Sequence, residues 1–350
     1  MRARSSNIKK RFLEFCTVNK LFQDGTTVLV AVSGGADSVV LLHLLGQTSR
    51  ALSIKIAVGH LDHMIRPDSA ADLEFVHDLA VRLELPFYSR RFDVPAEAAA
   101  TGRSLEDAAR NVRYRLLAEM ASEAGACATA TGHSMTDQTE TLLMRVIRGT
   151  GPSGLAGISR SKHDGVVRPL LCLTRDEIRD YAKTEGLKYR EDPTNTDEHY
   201  LRNRIRARLL PLLLEFNPRI EPMLSELAQD VASLNKMIDG LVDDRIVRAA
   251  DSGWLIPRKP PMMPGLEPYL IREAFNRITG EPLGLSRNHI EVLVPMLGQF
   301  DKAAQVHLPR RVVVISNMDG LLFTQDLDEP PPGIRRKPAK AQTSHTENRD

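Results

Sequence analysis

Four short stretches of the 350-residue chain bring together residue types that chemistry requires. The first, Ser33-Gly34-Gly35-Ala36-Asp37-Ser38, follows the apolar run Val28 to Val32 and leads into an apolar helical stretch that runs to Leu44. Two adjacent glycines let backbone N–H groups approach a ligand without a Cβ in the way, and a helix start adds a positive dipole end, a combination suited to phosphate. The loop lacks the lysine and the G-x-x-x-x-G-K-[ST] spacing of a kinase or GTPase cradle. A tight turn capped by Asp37 and Ser38 is the competing reading. The second stretch is His60-Leu61-Asp62-His63 with Arg66, and the third is Gly132-His133 followed by Asp137 and Glu140. Asp137 and Glu140, three apart, share one face of a helix and can hold a divalent ion or an ammonium group together. Magnesium bound by one or two carboxylates plus substrate phosphates is the usual arrangement in nucleotide chemistry, with Asp37 as a further oxygen donor. A solvated helix start explains the pair equally well. His60, His63 and His133 show no zinc spacing.

The fourth stretch is Arg202, Arg204, Arg206 and Arg208, whose forks can each hold two phosphate or carboxylate oxygens. Nucleic-acid contact is the functional reading and a plain charged helix the alternative. Arg103, Arg110, Arg113 and Arg115 lie among Glu106, Asp107 and Glu119; Arg110 and Arg113 share a face and either clamp an anion or join a salt-bridged surface helix.

These residues need elements to position them, and the pattern around them alternates. Strand-like segments at Val28–Val32, 54–59, 87–92 and 126–131 interleave with helical ones at 69–83, 104–121 and 137–147, after an opening helix at 7–22. Such alternation predicts an α/β fold: an open, mostly parallel sheet with helices on both faces. In such sheets ligands bind beyond the carboxyl ends of the strands, where the first three stretches fall. Gly149, Gly151, Gly154 and Gly157 with Pro152 suggest a mobile loop that can act as a lid, and 173–185 reads as a helix capped by Thr174. Asp192-Pro193-Thr194-Asn195 is turn-rich. Pro211 and Pro218 mark a boundary: a catalytic domain over 1–215, a smaller and mainly helical second domain over 216–328, and a tail over 329–350 with too little to bury. The second domain opens with an apolar stripe of Leu224, Leu227, Val231, Leu234, Met237, Ile238 and Leu241, and closes with strand-like segments at 304–308, 312–316 and 321–324.

Lys+Arg number 47 against 45 Asp+Glu, so global charge announces no polyanion partner and local clusters must be read instead. Cys16, Cys127 and Cys172 are far apart with no C-x-x-C, which argues against a disulfide framework, structural zinc or a persulfide-carrying pair and fits a reducing cytoplasm. Neither a signal peptide nor a membrane span is expected.

Together these motifs resemble the N-type ATP pyrophosphatase (PP-loop) family and, within it, the tRNA(Ile)-lysidine synthases. The resemblance runs strongly over residues 26–215, through S-G-G-A-D-S at Ser33, H-L-D-H-M-I-R at His60, A-R-N-V-R-Y at Ala109, T-G-H-S-M-T-D-Q-T-E-T at Thr131, R-G-T-G-P-S-G-L at Arg148, R-P-L-L at Arg168 and R-N-R-I-R at Arg202, and more weakly to about 325. It implies an adenine nucleotide alpha hydrolase-like fold in a short form of the family, with no room for the further C-terminal domain of longer members. It implies ATP as substrate with Mg2+, a CAU-anticodon tRNA(Ile) and free L-lysine as partners, and lysidine at the wobble cytidine as product. Homodimerisation is left open. By the same resemblance Ser33, Gly34, Gly35, Ala36, Asp37, Ser38, His60, Asp62 and His133 bind ATP, and Asp37 and Asp137 hold the metal. Asp137 or Glu140 receives the lysine amine, Arg110 or Arg113 stabilises the adenylated intermediate, and the second domain assists tRNA binding. A tRNA thiolase on the same ATP domain needs a reactive cysteine and is the weaker alternative; a non-catalytic tRNA- or nucleotide-binding protein is the other.

Overall fold

The computed structural model describes residues 2–64, 69–102, 104–161, 165–191, 200–249, 253–260, 263–280, 284–298 and 303–325. Arg66, Arg103, the Asp192-Pro193-Thr194-Asn195 turn and the tail from 329 lie outside the described residues. The chain divides into two compact units, Met1–Ser233 and Leu234–Asp350.

The first unit is built on a five-stranded sheet of β1 (Thr27–Ala31), β2 (Lys55–Asp62), β3 (Phe87–Arg91), β4 (Ala126–Ala130) and β5 (Val166–Val167) in the order β3-β2-β1-β4-β5, every neighbouring pair parallel. The strands alternate with helices α1 (Arg2–Val18), α2 (Ala36–Thr48), α3 (Ser69–Arg82), α4 (Val94–Thr101), α5 (Leu105–Glu123), α6 (Met135–Arg148), α7 (Pro152–Leu155) and α8 (Arg175–Thr184). The pleat of β1 shows why both faces are covered. Val28 and Val30 pack with Phe12, Leu41, Leu44 and Ile178 on one side, while Leu29 packs with Leu117 and Met120 of α5 on the other. Strand order reverses between β1 and β4, and the register Val30↔Val58, Val30↔Ala130 and Ala130↔Val167 brings four strand ends to one rim.

α4 and β5 are among the elements that were not anticipated. α4 starts at Asp93, whose carboxylate accepts from the Ala96 N–H at 2.9 Å, and ends at left-handed Gly102. β5 is only two residues long. The glycine-rich segment, expected as a mobile loop, is instead fastened to α6. Arg145 donates to the Gly154 and Gly157 carbonyls at 2.5 and 3.1 Å, and the Gln138 side chain accepts from the Ile158 N–H at 2.5 Å. The arginine-rich stretch is helical as α9 (Leu201–Arg204), a π turn (Ile205–Leu209) and α10 (Leu210–Phe216). The Leu210 N–H reaches back to the Ile205 carbonyl, and Pro211 removes the next donor.

α11 (Ile220–Asp243) begins in the first unit, where Glu221 in its first turn accepts from the Thr136 hydroxyl at 2.6 Å. The division into compact units falls after Ser233, within α11. Its expected apolar stripe is largely uncovered: Leu227, Leu234, Met237 and Leu241 are exposed among the described residues, and Ile238 meets the second unit's core. The second unit contains α12 (Glu267–Thr279), α13 (Arg287–Gly298) and an antiparallel sheet, β6 (Val247–Ala249), β7 (Gly253–Pro257), β8 (Ala304–Leu308), β9 (Val312–Ser316) and β10 (Gly320–Gln325), ordered β6-β7-β10-β9-β8. The helices thus share this unit with a sheet two strands larger than the sequence pattern suggests. Its core joins Leu270, Ile271 and Phe275 to Leu293, Val314 and Phe323.

Candidate active site

The rim at the strand-order reversal opens on a cavity of about 530 Å3 lined by Ser33, Asp37 and Ser38 after β1, His60, Asp62 and His63 from β2, Gly132, His133 and Asp137 after β4, and Arg113 and Tyr114 from α5. Three sequence-distant stretches therefore converge on one space. Gly34, with φ +92°, makes the turn, and Ser38 closes it: its hydroxyl accepts from the Ser33 N–H at 3.2 Å and donates to the Gly35 carbonyl at 2.9 Å. Gly34, Gly35 and Ala36 shape the turn without lining the cavity. Asp37 is not a cap; α2 begins at Gly35 with no side-chain cap at all, which leaves its first-turn N–H groups for a ligand.

Gly132 sets the distance between the two halves. A Cβ there would lie 3.3 Å from the Asp37 carbonyl carbon and the Ser38 nitrogen, so a side chain would require the loop after β4 and the start of α2 to give by a few tenths of an ångström. Ser134 then caps α6, accepting from the Asp137 N–H at 3.2 Å while the Asp137 carboxylate accepts from the Ser134 N–H at 2.8 Å.

Among the described residues, six buried side-chain polar atoms lack a hydrogen-bond partner, and four belong to the cavity wall: Asp37 Oδ1, His60 Nε2, Asp62 Oδ2 and His63 Nδ1. Buried polar atoms are ordinarily paired, so this concentration marks a place prepared for a ligand. His60 Nδ1 lies 2.8 Å from the Val32 carbonyl and must carry the proton, which leaves Nε2 as a bare acceptor. Burial lowers the pKa of all three histidines, His63 and His133 to about 4, so they face the cavity as neutral rings. Asp62 accepts from the Met64 N–H at 2.9 Å and has Arg91 Nε 3.2 Å from Oδ2.

Burial and the nearby negative charge of Asp137 push Asp37 up to about 6, with Arg175 opposing at 3.7 Å. Burial pushes Asp137 upward too, but Arg202 and the Ser134 N–H and hydroxyl hold it below its ordinary value. Two neighbouring carboxylates, one with an unpaired buried oxygen, make a donor set that a divalent cation would relieve. Among the described residues no cluster of three His, Cys, Asp or Glu forms, so such an ion would need ligand phosphates to complete its shell.

Several expected site residues stand elsewhere. Glu140 is fully buried, outside the cavity lining, and accepts from Arg202 Nε at 2.6 Å and from Arg206 Nε and Nη2 at 2.6 and 3.0 Å; Arg202 Nη2 also reaches Asp137 at 3.0 Å. Glu140 is thus an anchor for two guanidinium groups rather than an open carboxylate, and Arg202 and Arg206 face inward rather than outward. Arg204 and Arg208 are exposed. Arg113 reaches the cavity, whereas Arg110 lies over the Tyr114 ring at 5.5 Å, outside the lining. Sequence reasoning passed over Arg190 and met Tyr114 and Arg168 only as letters of two motifs, with no role assigned. Arg190 lines the cavity, and its N–H donates to the Gly34 carbonyl at 2.9 Å while its side chain pairs with Asp72.

Comparison with known proteins supplies the context. The PP-loop domain family matches residues 4–213. A tRNA(Ile)-lysidine synthase of Geobacter sulfurreducens is 35% identical over 334 residues, 93% of this chain and 70% of the relative. One from Thermotoga sp. is 42% identical over 228 residues, 65% of this chain and 55% of the relative, and one from Chlorobaculum tepidum is 40% identical over 233 residues, 66% and 70%. The chain therefore spans just over half to about seven-tenths of these relatives. A solved U34-tRNA thiolase from Methanococcus maripaludis, described with its 4Fe-4S cluster, superposes with a TM-score of 0.57 at 16% identity, over 66% of this chain and 80% of that one. That likeness concerns the fold alone.

Proposed function

Since the chain belongs to the PP-loop family and, within it, to the tRNA(Ile)-lysidine synthases, we propose that it ligates free lysine to carbon 2 of the wobble cytidine of a CAU-anticodon tRNA(Ile), in the cytoplasm, with ATP cleaved to AMP and diphosphate. The convergence on one cavity of four buried polar atoms without a hydrogen-bond partner and of two acidic loops supports this reading more than any single motif.

In the first step the cytidine O2 attacks the α-phosphorus and diphosphate leaves. The uncapped start of α2 and the Ser33–Ser38 turn receive phosphate oxygens, and Arg113 offsets the charge that builds on the transferring group. Asp37 and Asp137 would hold Mg2+, which when bound supplies charge neutralisation for the triphosphate. His60 Nε2, as an acceptor, takes a donor from the nucleotide. In the second step the lysine ε-amine attacks carbon 2, AMP departs and the amine gives up its proton. Asp137 serves as the carboxylate for the arriving ammonium, since Glu140 is saturated by Arg202 and Arg206. Exposed Arg204 and Arg208 contact tRNA phosphate, assisted by the second unit.

The thiolase alternative requires a thiolate at the cavity. None of the three cysteines lines it; Cys16 and Cys172 are raised by burial, Cys172 to about 12. Release of diphosphate from ATP and unmodified tRNA, measured with lysine or with a sulfur donor, tests the assignment. Lysine-dependent release with lysine joined to the tRNA is expected. Sulfur dependence would install the thiolase reading, and no release with either would leave a binding protein.

A further inference from the structure

Arg168 is among the largest fully buried side chains of the protein, 1% exposed, and follows β5 at the same rim as the cavity. Its guanidinium donates to neutral groups: Nη1 to the Ser159 carbonyl at 2.7 Å and Nη2 to the Tyr114 hydroxyl at 3.2 Å. Nε is buried without a partner, and no described carboxylate forms an ion pair with this guanidinium. A buried charge without a counter-charge is costly, and such a cost persists only where something else offsets it. Two features point to the cavity. Tyr114 lines it beside Arg113 on the same turn of α5, and Val167, the residue before Arg168, accepts from the Thr131 N–H at 3.0 Å, at the start of the loop that brings Gly132 and His133 to the cavity. The Arg168 N–H also donates to the Arg160 carbonyl at 2.9 Å, which ties the segment after α7 to the same point.

We infer that Arg168 is a positioning residue for this site: from behind the wall its guanidinium fixes the Tyr114 hydroxyl, and with it the turn of α5 that carries Arg113, and it contributes a positive charge that an anion in the cavity offsets. The inference rests on reading the cavity as a nucleoside triphosphate site. A side chain kept for packing alone would be replaceable by an apolar one of similar length, and the protein would gain stability by losing an uncompensated charge.

Binding of a non-hydrolysable ATP analogue, read by calorimetry, is compared across wild type, Arg168→Met, Arg168→Lys and Tyr114→Phe, with kcat and KM for ATP. Arg168→Met is expected to weaken the analogue about tenfold and raise KM more than it lowers kcat, since a hydrogen-bonded charge is worth about that much. Arg168→Lys, which keeps the charge, is expected to recover most of the loss, a rescue that a packing role would not produce. Analogue affinity within twofold of wild type in Arg168→Met overturns the inference. Should Arg168→Met not fold, Tyr114→Phe decides: a severalfold fall in kcat/KM with an unchanged melting temperature supports it, and wild-type kinetics overturn it. A wild-type protein that does not bind the analogue overturns the nucleotide reading and this inference with it.

Discussion

Glu140 offers the clearest separation between an acidic catalyst and an acidic anchor. In Glu140→Gln one oxygen still accepts, but the amide presents N–H groups toward two guanidinium forks that donate at 2.6 to 3.0 Å. Breaking a buried ion pair by removing one partner costs about 3–5 kcal/mol. Here the Arg202 and Arg206 side chains retain 38% and 22% exposure, so water recovers part of the loss, and about 2–3 kcal/mol is the expected destabilisation. At about 2–4 °C per kcal/mol for a domain of this size, the first unit should melt about 5–10 °C lower. Circular dichroism on the full chain reads the shift. A double-mutant cycle with Arg206→Met should return a coupling of about 1 kcal/mol or more. If Glu140→Gln instead melts like wild type while turnover collapses, Glu140 is a working carboxylate and its assignment as an anchor is wrong.

Asp37→Ala should abolish diphosphate release while leaving the melting temperature close to wild type or higher, because its carboxylate is buried with one oxygen unpaired and Asp137 nearby; near-normal turnover would remove metal ligation at Asp37 from the mechanism. The pair Arg204→Ala and Arg208→Ala should weaken tRNA binding in filter-binding titrations and make its salt dependence shallower by about one unit of slope per arginine, with ATP affinity unchanged; an unaltered slope would return this face to ordinary surface. Native protein at pH 8 should expose one fast-reacting thiol, Cys127, and denatured protein three. The thiols of buried Cys16 and half-buried Cys172 bind their protons more tightly folded than unfolded, so stability should fall as pH rises past the ordinary thiol range near 8.5. Cys16→Ser with Cys172→Ser should flatten that alkaline limb; an unchanged limb would assign it to other groups.

The alternation of apolar strands and amphipathic helices was legible because each period is local, and the β1, β2 and β4 ends could be placed on one rim from the parallel topology that alternation implies. Val166–Val167 is too short to carry a period, and Val94–Thr101 is an alanine-rich run whose helix depends on its Asp93 cap rather than on a stripe. The larger failures concern charge. Glu140 reads in sequence as one more acid near a helix start, and Arg202 and Arg206 as solvent-facing cations; their pairing links residues 62 and 66 positions apart, which no local pattern encodes. Arg168 stands in the sequence as the head of the R-P-L-L motif but without a role, since its burial and its tie to Tyr114 join residues 54 positions apart.

Gly132 carries a consequence for how such a site can change over evolutionary time. Every polar group around the cavity is a presence that substitution can tune, whereas the closeness of the β4 loop to the start of α2 is maintained by a missing methyl. Alanine there would wedge the carrier of Asp137 away from the carrier of Asp37 by a few tenths of an ångström, a shift shared by everything downstream in both loops. The gauge of the whole aperture is therefore held at a position with no side chain to recognise, and a survey of acids, bases and cations would never nominate it.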